Sequence, residues 1–419
     1  MTRPAAACWG AVARTVSVVL VIVAGLAAPA AAHALPTAVA PDCTEPGGRI
    51  TQVSWAQRLL APERVWSFTR GGGVTVAVLD SGVDASHAQL AGEIRRGLDV
   101  RGGGSAGADS DCRGTGTQIA GVIGAWQTQS TGFVGLAPNA AILPIRVVGE
   151  QDPVGEPVPP QVLAQGVRAA LDSGADVIAV PVVSYTDAPA LRDAVADAVR
   201  AGVVVVAAVG DKGGEPGGGP TPYPAAYEGV IGVGAIAETG VRWPNSQAGG
   251  YVDVVAPGAG IVTVQRAWGL TVAEGTGVAC GFVAAAAALA IARRGLRGAA
   301  IERLLLATAV PGPGGPEYGH GVVNPYAAVN DHLVQRETAT LPALAPPTRE
   351  TASDWLRSRD FAVAGAALLG LIVIGVVAAA ITLPRGRRRR WRAAMAPPPP
   401  RVEEPEEPGP PLLLFDEQR

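Results

Sequence analysis

The sequence is poor in the residues that build metal and redox sites. Its 419 residues include only four histidines and four cysteines, and neither an HExxH nor a CxxC motif is present. Asp and Glu are scattered without a paired-carboxylate pattern. The net charge of −3 gives no general attraction for nucleic acid. We therefore expect no metal, no cofactor and no nucleic-acid partner.

The first 34 residues have the pattern of a secretory signal peptide. Arg3 and Arg14 stand ahead of an apolar run, Val16–Leu26, and small residues follow as far as Ala32-His33-Ala34. The alternative is an N-terminal membrane anchor that is not cleaved. Either arrangement places the following domain outside the cytoplasm.

A second apolar run, Phe361–Leu383, has the length of a membrane span. Its 23 residues carry no charge, and as a helix they extend about 35 Å, which covers a hydrocarbon core of about 30 Å. Six arginines follow between positions 385 and 392. Because positive residues stay on the cytoplasmic side, we expect the Pro-rich, acidic tail, residues 384–419, to be cytoplasmic. The alternative for the run is a buried core helix.

The four cysteines predict one disulfide. Cys8 leaves with the signal peptide, so Cys43, Cys112 and Cys280 remain. Outside the cytoplasm disulfides persist, and Cys43 and Cys112 both lie in irregular, polar, Gly-rich surroundings, which makes them the expected pair. Cys280 lies in an Ala-rich helical stretch and is expected to be a small buried hydrophobe.

Between the two ends, β-branched runs alternate with helical patterns. The predicted strands are Val74–Leu79, Ala141–Val147, Val177–Pro181, Val203–Ala208 and Val230–Ala235. The predicted helices are Thr117–Trp126, Val162–Ser173, Ala188–Ala201, Gly277–Arg294 and Ala299–Ala309. Nearly apolar strands separated by helices are typical of an α/β fold with a mostly parallel central sheet covered on both faces.

Changes in composition divide this part of the chain into three segments. We assign residues 35–54 to an N-terminal extension, residues 55–335 to one globular domain, and residues 336–360 to a Pro-rich linker without periodicity. The linker joins the domain to the predicted span at residues 361–383.

Several segments of the globular domain resemble the motifs of subtilisin-like serine proteases, in the family's order and spacing. The first is Val76-Ala77-Val78-Leu79-Asp80-Ser81-Gly82-Val83, which resembles the segment of the catalytic aspartate. The second, Cys112 to Gly121, resembles the segment of the catalytic histidine, and Gly275-Thr276-Gly277-Val278-Ala279 resembles the start of the nucleophile helix. Gly135-Leu136-Ala137-Pro138 and Val254 to Gly258 match framework motifs. The resemblance implies a three-layer αβα fold.

The same resemblance implies that the catalytic chemistry is lost. Asp80 is retained, but Thr115 stands at the histidine position and Gly277 at the serine position. A serine nucleophile needs an imidazole to take its proton, and threonine does not titrate near neutral pH. At the position of the oxyanion-stabilising amide the chain has Asp211, whose carboxylate repels negative charge. We therefore predict that the chain is not an active enzyme.

Other residues offer no clear substitute for the missing groups. We expect His87 and His320 to be surface or loop histidines and His332 to lie near the linker. Cys280 follows Gly277 by about one helical turn, but as a thiol nucleophile it has no evident base.

The whole arrangement resembles the mycosins, the membrane-anchored subtilisin-like proteases associated with type VII secretion systems. The resemblance rests on the signal, the cysteine-bearing extension before Trp55-Ala56-Gln57, Cys112, the Pro-rich linker and the span that ends in arginines. It implies a structural subunit among the membrane-complex subunits of such a system, with its domain outside the cytoplasm. The alternatives are a module that binds peptide in the remaining crevice and an active protease with a rewired site.

Overall fold

The computed structural model describes residues 43–102, 106–129, 131–153, 155–330 and 353–388. The chain divides into two compact units, residues 1–335 and 336–419. The predicted signal peptide, the predicted extension as far as residue 42, and the tail beyond residue 388 lie outside the described residues. The boundaries assigned from the sequence for these segments therefore stay predictions.

Seven strands of the described residues form one parallel sheet in the order β2-β3-β1-β4-β5-β6-β7. The bounds are Thr75–Asp80 for β1, Leu98–Asp99 for β2, Ala141–Arg146 for β3, Val177–Val180 for β4, Val204–Ala208 for β5, Val230–Ile236 for β6 and Val254–Pro257 for β7. Two more strands, β8 (Ile261–Val264) and β9 (Leu270–Ala273), form a separate antiparallel hairpin.

The described helices of the first unit cover the sheet or close its ends. They are α1 (Trp55–Leu60), α2 (Pro62–Val65), α3 (Thr115–Gly124), α4 (Pro160–Asp172), α5 (Pro189–Arg200), α6 (Thr276–Arg294), α7 (Ala299–Thr308) and α8 (Pro325–Asn330). Side chains of a strand alternate between its two faces. In β1, Val76 and Val78 accordingly join the core that contains α3 and α6, whereas Ala77 and Leu79 join the core that contains α4 and α5.

The predicted α/β fold is confirmed, and the predicted elements match to within a few residues at each end. The reason is that buried parallel strands leave continuous apolar runs, which are easy to find in a sequence. Strands β2, β7, β8 and β9 were not predicted as strands. β2 has only two residues, and β9 has one exposed and one half-buried residue, so neither gives a long apolar run.

Two described helices are long and apolar enough to cross a membrane, judged by length and composition. One is α6, which is mostly buried in the first unit and is therefore a core helix. The other, Ser358–Leu383, belongs to the long helix α9 (Ser353–Arg388) of the second unit, and its most apolar stretch is exposed. It contains the predicted span and is the candidate membrane anchor.

Candidate active site

The three segments that resemble the catalytic motifs meet in one crevice of about 310 Å³. It lies beyond the carboxyl ends of the strands, where ligand sites of open α/β sheets occur. Asp80 ends β1, Pro181 follows β4 and Asp211 follows β5. Thr115 begins α3, and Gly277 is the second residue of α6. The fold therefore brings together the four positions predicted from sequence to form the catalytic and oxyanion sites.

Asp80 is a buried carboxylate that is held by hydrogen bonds from neighbouring groups. Its Oδ1 accepts hydrogen bonds from the backbone N–H of Ser81 at 2.7 Å and from Oγ1 of Thr115 at 2.5 Å. Burial raises the pKa of Asp80 above its usual value, and the nearby Asp111 adds to this effect, while the hydrogen bonds oppose it. An ionised Asp80 therefore destabilises the folded state.

Thr115 fills the space beside Asp80 with a hydroxyl. Its Oγ1 also lies 2.9 Å from Oγ of Ser81, which in turn donates to Oδ1 of Asp111 at 2.8 Å. Each hydroxyl thus donates its single proton to a different carboxylate, Thr115 to Asp80 and Ser81 to Asp111. A threonine hydroxyl does not titrate near neutral pH, so the ionisable groups of this arrangement are the carboxylates of Asp80 and Asp111.

Asp111 is a residue that the sequence analysis missed. Its Oδ1 accepts from the N–H of Gly114 at 2.8 Å, and its Oδ2 accepts from the N–H and the hydroxyl of Thr117 at 2.9 and 2.7 Å. It therefore caps the start of α3 and positions Thr115. An aspartate a few residues before a predicted helix is a recognisable capping signal.

Gly277 lies against the backbone of Pro181. A Cβ at position 277 would lie 2.6 Å from the carbonyl oxygen of Pro181 and 3.2 Å from its Cβ. Both distances are shorter than ordinary van der Waals contact, and the nearest atom belongs to the main chain. Pro181 thus occupies the space that a side chain at position 277 would need.

Asp211 points a carboxylate oxygen at the first residue of α6. Its Oδ1 accepts from the N–H of Thr276 at 2.9 Å and from the hydroxyl of Thr276 at 2.7 Å. Burial raises the pKa of Asp211, and these two hydrogen bonds oppose the rise. The side chain therefore serves as a cap of α6, where the partial positive charge of the helix end favours a carboxylate.

Neither histidine of the described residues lines the crevice. His320 lies in an exposed turn with Nδ1 3.2 Å from the carbonyl of Asp253. His87 lies in a loop, one of the two expected placements, and is only 3% exposed. Its Nε2 lies 3.2 Å from the carbonyl of Gly269, beside the β8–β9 hairpin, and burial lowers its pKa. His332 lies outside the described residues.

Cys280 is fully buried in α6, as expected for a small hydrophobe. Its thiol lies 3.4 Å from the carbonyl of Val206. Burial raises the pKa of this thiol well above its usual value, which disfavours the nucleophilic thiolate.

The disulfide joins Cys43 and Cys112, the pair expected from the sequence. It fixes the N-terminal segment beside the start of α3, where the N–H and hydroxyl of Thr44 donate to the carbonyls of Cys112 and Arg113. Further along, Gly48 pairs with Leu270 of β9. The segment therefore ties the Thr115 region to the β8–β9 hairpin.

The sequence profile of the Subtilase family, peptidase S8, matches residues 71–337. The chain belongs to this family. It is 34% identical over 274 residues to thermitase of Thermoactinomyces vulgaris, which covers 65% of this chain and 94% of that protein. It is also 34% identical over 232 residues to the major intracellular serine protease of Bacillus subtilis strain 168, over 55% of this chain and 72% of that protein.

Solved structures place this subtilase near the mycosins. The crystal structure of MycP1 from Mycobacterium smegmatis has a TM-score of 0.61 and 26% identity, covering 73% of this chain and 93% of that one. The MycP3 protease from the type VII (ESX-3) secretion system has a TM-score of 0.58 and 28% identity, covering 68% and 89%. The resemblance to mycosins is therefore confirmed.

Proposed function

We propose that this subtilase is a membrane-anchored pseudoprotease that acts as a structural subunit of a type VII secretion system. The main support for the loss of proteolysis is the glycine at position 277. It leaves the N-terminus of α6 without a nucleophilic side chain, and it lies against the carbonyl of Pro181. Beside Asp80, the group in contact is the hydroxyl of Thr115. Neither position supplies the proton transfer that peptide cleavage needs.

The size of the expected loss leaves no useful activity. In a subtilisin, loss of the serine or the histidine alone lowers turnover by about 2 × 10⁶, roughly 9 kcal/mol. Removal of one oxyanion donor costs a further factor of about 10² to 10³. Asp211, at the predicted oxyanion position, is instead an acceptor for Thr276.

The proposed membrane topology puts the protease-like domain outside the cytoplasm. Its support is the candidate span at Ser358–Leu383, followed by the arginines between positions 385 and 392. The disulfide between Cys43 and Cys112 fits an oxidising compartment. The tail, residues 384–419, is then cytoplasmic, and residues 1–34 are a signal peptide.

The proposed partners of this chain are inferred from its similarity to the mycosins. One of the similar structures is described as a serine protease that is an essential component of the type VII (ESX-1) secretion system. We infer that this chain contacts the membrane-complex subunits of such a system through surfaces of its folded domain, which needs no catalytic residues.

The test is affinity purification with crosslinking of the tagged full chain from membranes, alongside a peptide-cleavage assay on the purified protein. Copurification with secretion-channel subunits and no cleavage is the expected result. Cleavage that disappears in an Asp80→Ala or Cys280→Ala variant would refute the pseudoprotease assignment. Absence of channel subunits under crosslinking would refute the structural role.

A second candidate function is peptide binding without cleavage. It is favoured by the crevice itself, which keeps a volume of about 310 Å³ and apolar walls that include Ile119, Val148 and Val182. An extended peptide binds by adding a strand to exposed backbone groups and needs no nucleophile.

A further inference from the structure

The loop between β3 and α4 forms one wall of the crevice. Gly155 and Glu156 line it from this loop, and Pro181, Val182 and Val183 line it from the segment that follows β4. We call Gly155–Val158 the strap and Pro181–Val183 the acceptor segment. The acceptor segment continues a parallel strand into the crevice, so its backbone groups are those that an added peptide strand would use.

The strap already pairs with the acceptor segment. The N–H of Val158 donates to the carbonyl of Val183 at 2.8 Å. The Val158 side chain is 5% exposed and belongs to the core that contains α4. The pairing therefore combines a backbone hydrogen bond with burial of an apolar side chain, as strand addition by a peptide does.

The loop is also fastened just before the strap. Oδ2 of Asp152 accepts from the N–H of Gly149 at 2.6 Å, and the guanidinium of Arg113 donates to the Asp152 carbonyl. Arg113 follows Cys112, which the disulfide fixes to Cys43. These contacts hold the loop against the crevice from the side of α3.

We propose that the acceptor segment is a strand-binding site whose occupant is the chain's own strap. The Val183 carbonyl already accepts the N–H of Val158, so an external peptide that uses the same hydrogen-bonding position competes with Val158. This inference rests on the proposed loss of proteolysis and adds that a peptide partner would compete with the strap for the acceptor segment. Recognition of secretion subunits then uses other surfaces of the domain.

The first test is amide hydrogen exchange on the full chain in detergent. Residues 157–160 read Pro-Val-Pro-Pro, so this stretch contains a single exchangeable amide, that of Val158. We expect this amide to be strongly protected, as a buried hydrogen-bonded N–H is. Exchange at the rate of an unstructured peptide would overturn the proposal.

The second test measures displacement with a fluorescein-labelled peptide, Gly-Glu-Pro-Val-Pro-Pro, that copies residues 155–160. Val158→Pro removes the backbone N–H that donates to Val183, whereas the control Val158→Ala shortens the side chain and keeps this N–H. The probe must break the internal hydrogen bond in Val158→Ala but not in Val158→Pro. We therefore expect Val158→Pro to bind the probe roughly three- to tenfold more tightly than Val158→Ala. Equal affinity in two folded variants would overturn the proposal.

The two tests separate this inference from the proposed function. Each reads out protection or binding and needs no catalysis. Mass spectrometry of the probe after incubation reports cleavage, which would refute the pseudoprotease assignment and not the strap. If Val158→Pro does not fold, the exchange of the Val158 amide in the unaltered chain decides.

Discussion

Gly277→Ala is expected to lower the free energy of unfolding by about 1–3 kcal/mol, the usual cost of forcing an extra carbon into a packed site. The new Cβ would lie 2.6 Å from the Pro181 carbonyl oxygen, roughly 0.8 Å inside the 3.4 Å at which ordinary contact begins. Pro181 follows directly on β4, a buried central strand, so relief requires movement of main chain. Alanine is the better helix former, so helix propensity alone predicts that Gly277→Ala raises the free energy of unfolding.

The assay is urea unfolding of the full chain in detergent, followed by tryptophan fluorescence. Gly250→Ala is the matched control, because its Cβ would meet nothing within 4 Å and the residue is exposed. We expect the free energy of unfolding of the control to lie within about 0.5 kcal/mol of that of the unaltered chain. A Gly277→Ala variant as stable as the control, or more stable, would refute the crowding at Pro181.

The crowding also bears on a variant with a histidine and a serine at these two positions. In Thr115→His/Gly277→Ser the serine meets the same Pro181 carbonyl, and the crevice keeps Asp211. We expect no cleavage of a chromogenic peptide above that of the unaltered chain. Robust cleavage would mean that the site is intact apart from two side chains.

Three other changes have defined outcomes. Burial raises the folded pKa of Asp80 above the ordinary 3.8, so the folded state binds more protons than the unfolded state, and the stability that Asp80 contributes is lost as pH rises from 3.8 through the folded pKa. Asp80→Asn should remove this loss, measured as the difference in unfolding free energy between pH 4 and pH 7 in urea. An equally large decrease in the variant would contradict the assignment to Asp80. Replacing Cys43 and Cys112 with serine opens a loop with a sequence separation of 69 and should cost about 4 kcal/mol, a loss that reductant reproduces in the unaltered chain. Asp211→Ala removes both hydrogen bonds to Thr276 and should lower the unfolding free energy by about 1–2 kcal/mol, and an unchanged midpoint would contradict its capping role.

The sequence by itself determined the class of the fold and predicted four residues that line one crevice. The strands that became β1, β3, β4, β5 and β6 are continuous apolar runs, and a run of this kind needs no knowledge of its partners to be found. Asp80, Thr115, Asp211 and Gly277 were identified because each lies in a short motif whose order along the chain is a property of sequence alone. The apolar stretch of the candidate span is local in the same way.

The tertiary structure decided what surrounds these residues. Gly277 and Pro181 are separated by 96 positions, yet their contact determines whether a side chain fits at position 277. His87 contacts the carbonyl of Gly269, and Val158 pairs with the carbonyl of Val183 beside the crevice. Each contact joins segments that are distant in sequence, and their distances are set by how strands and loops pack around one core. Propensity and periodicity act over a few residues along the chain, so they carry no information about such approaches.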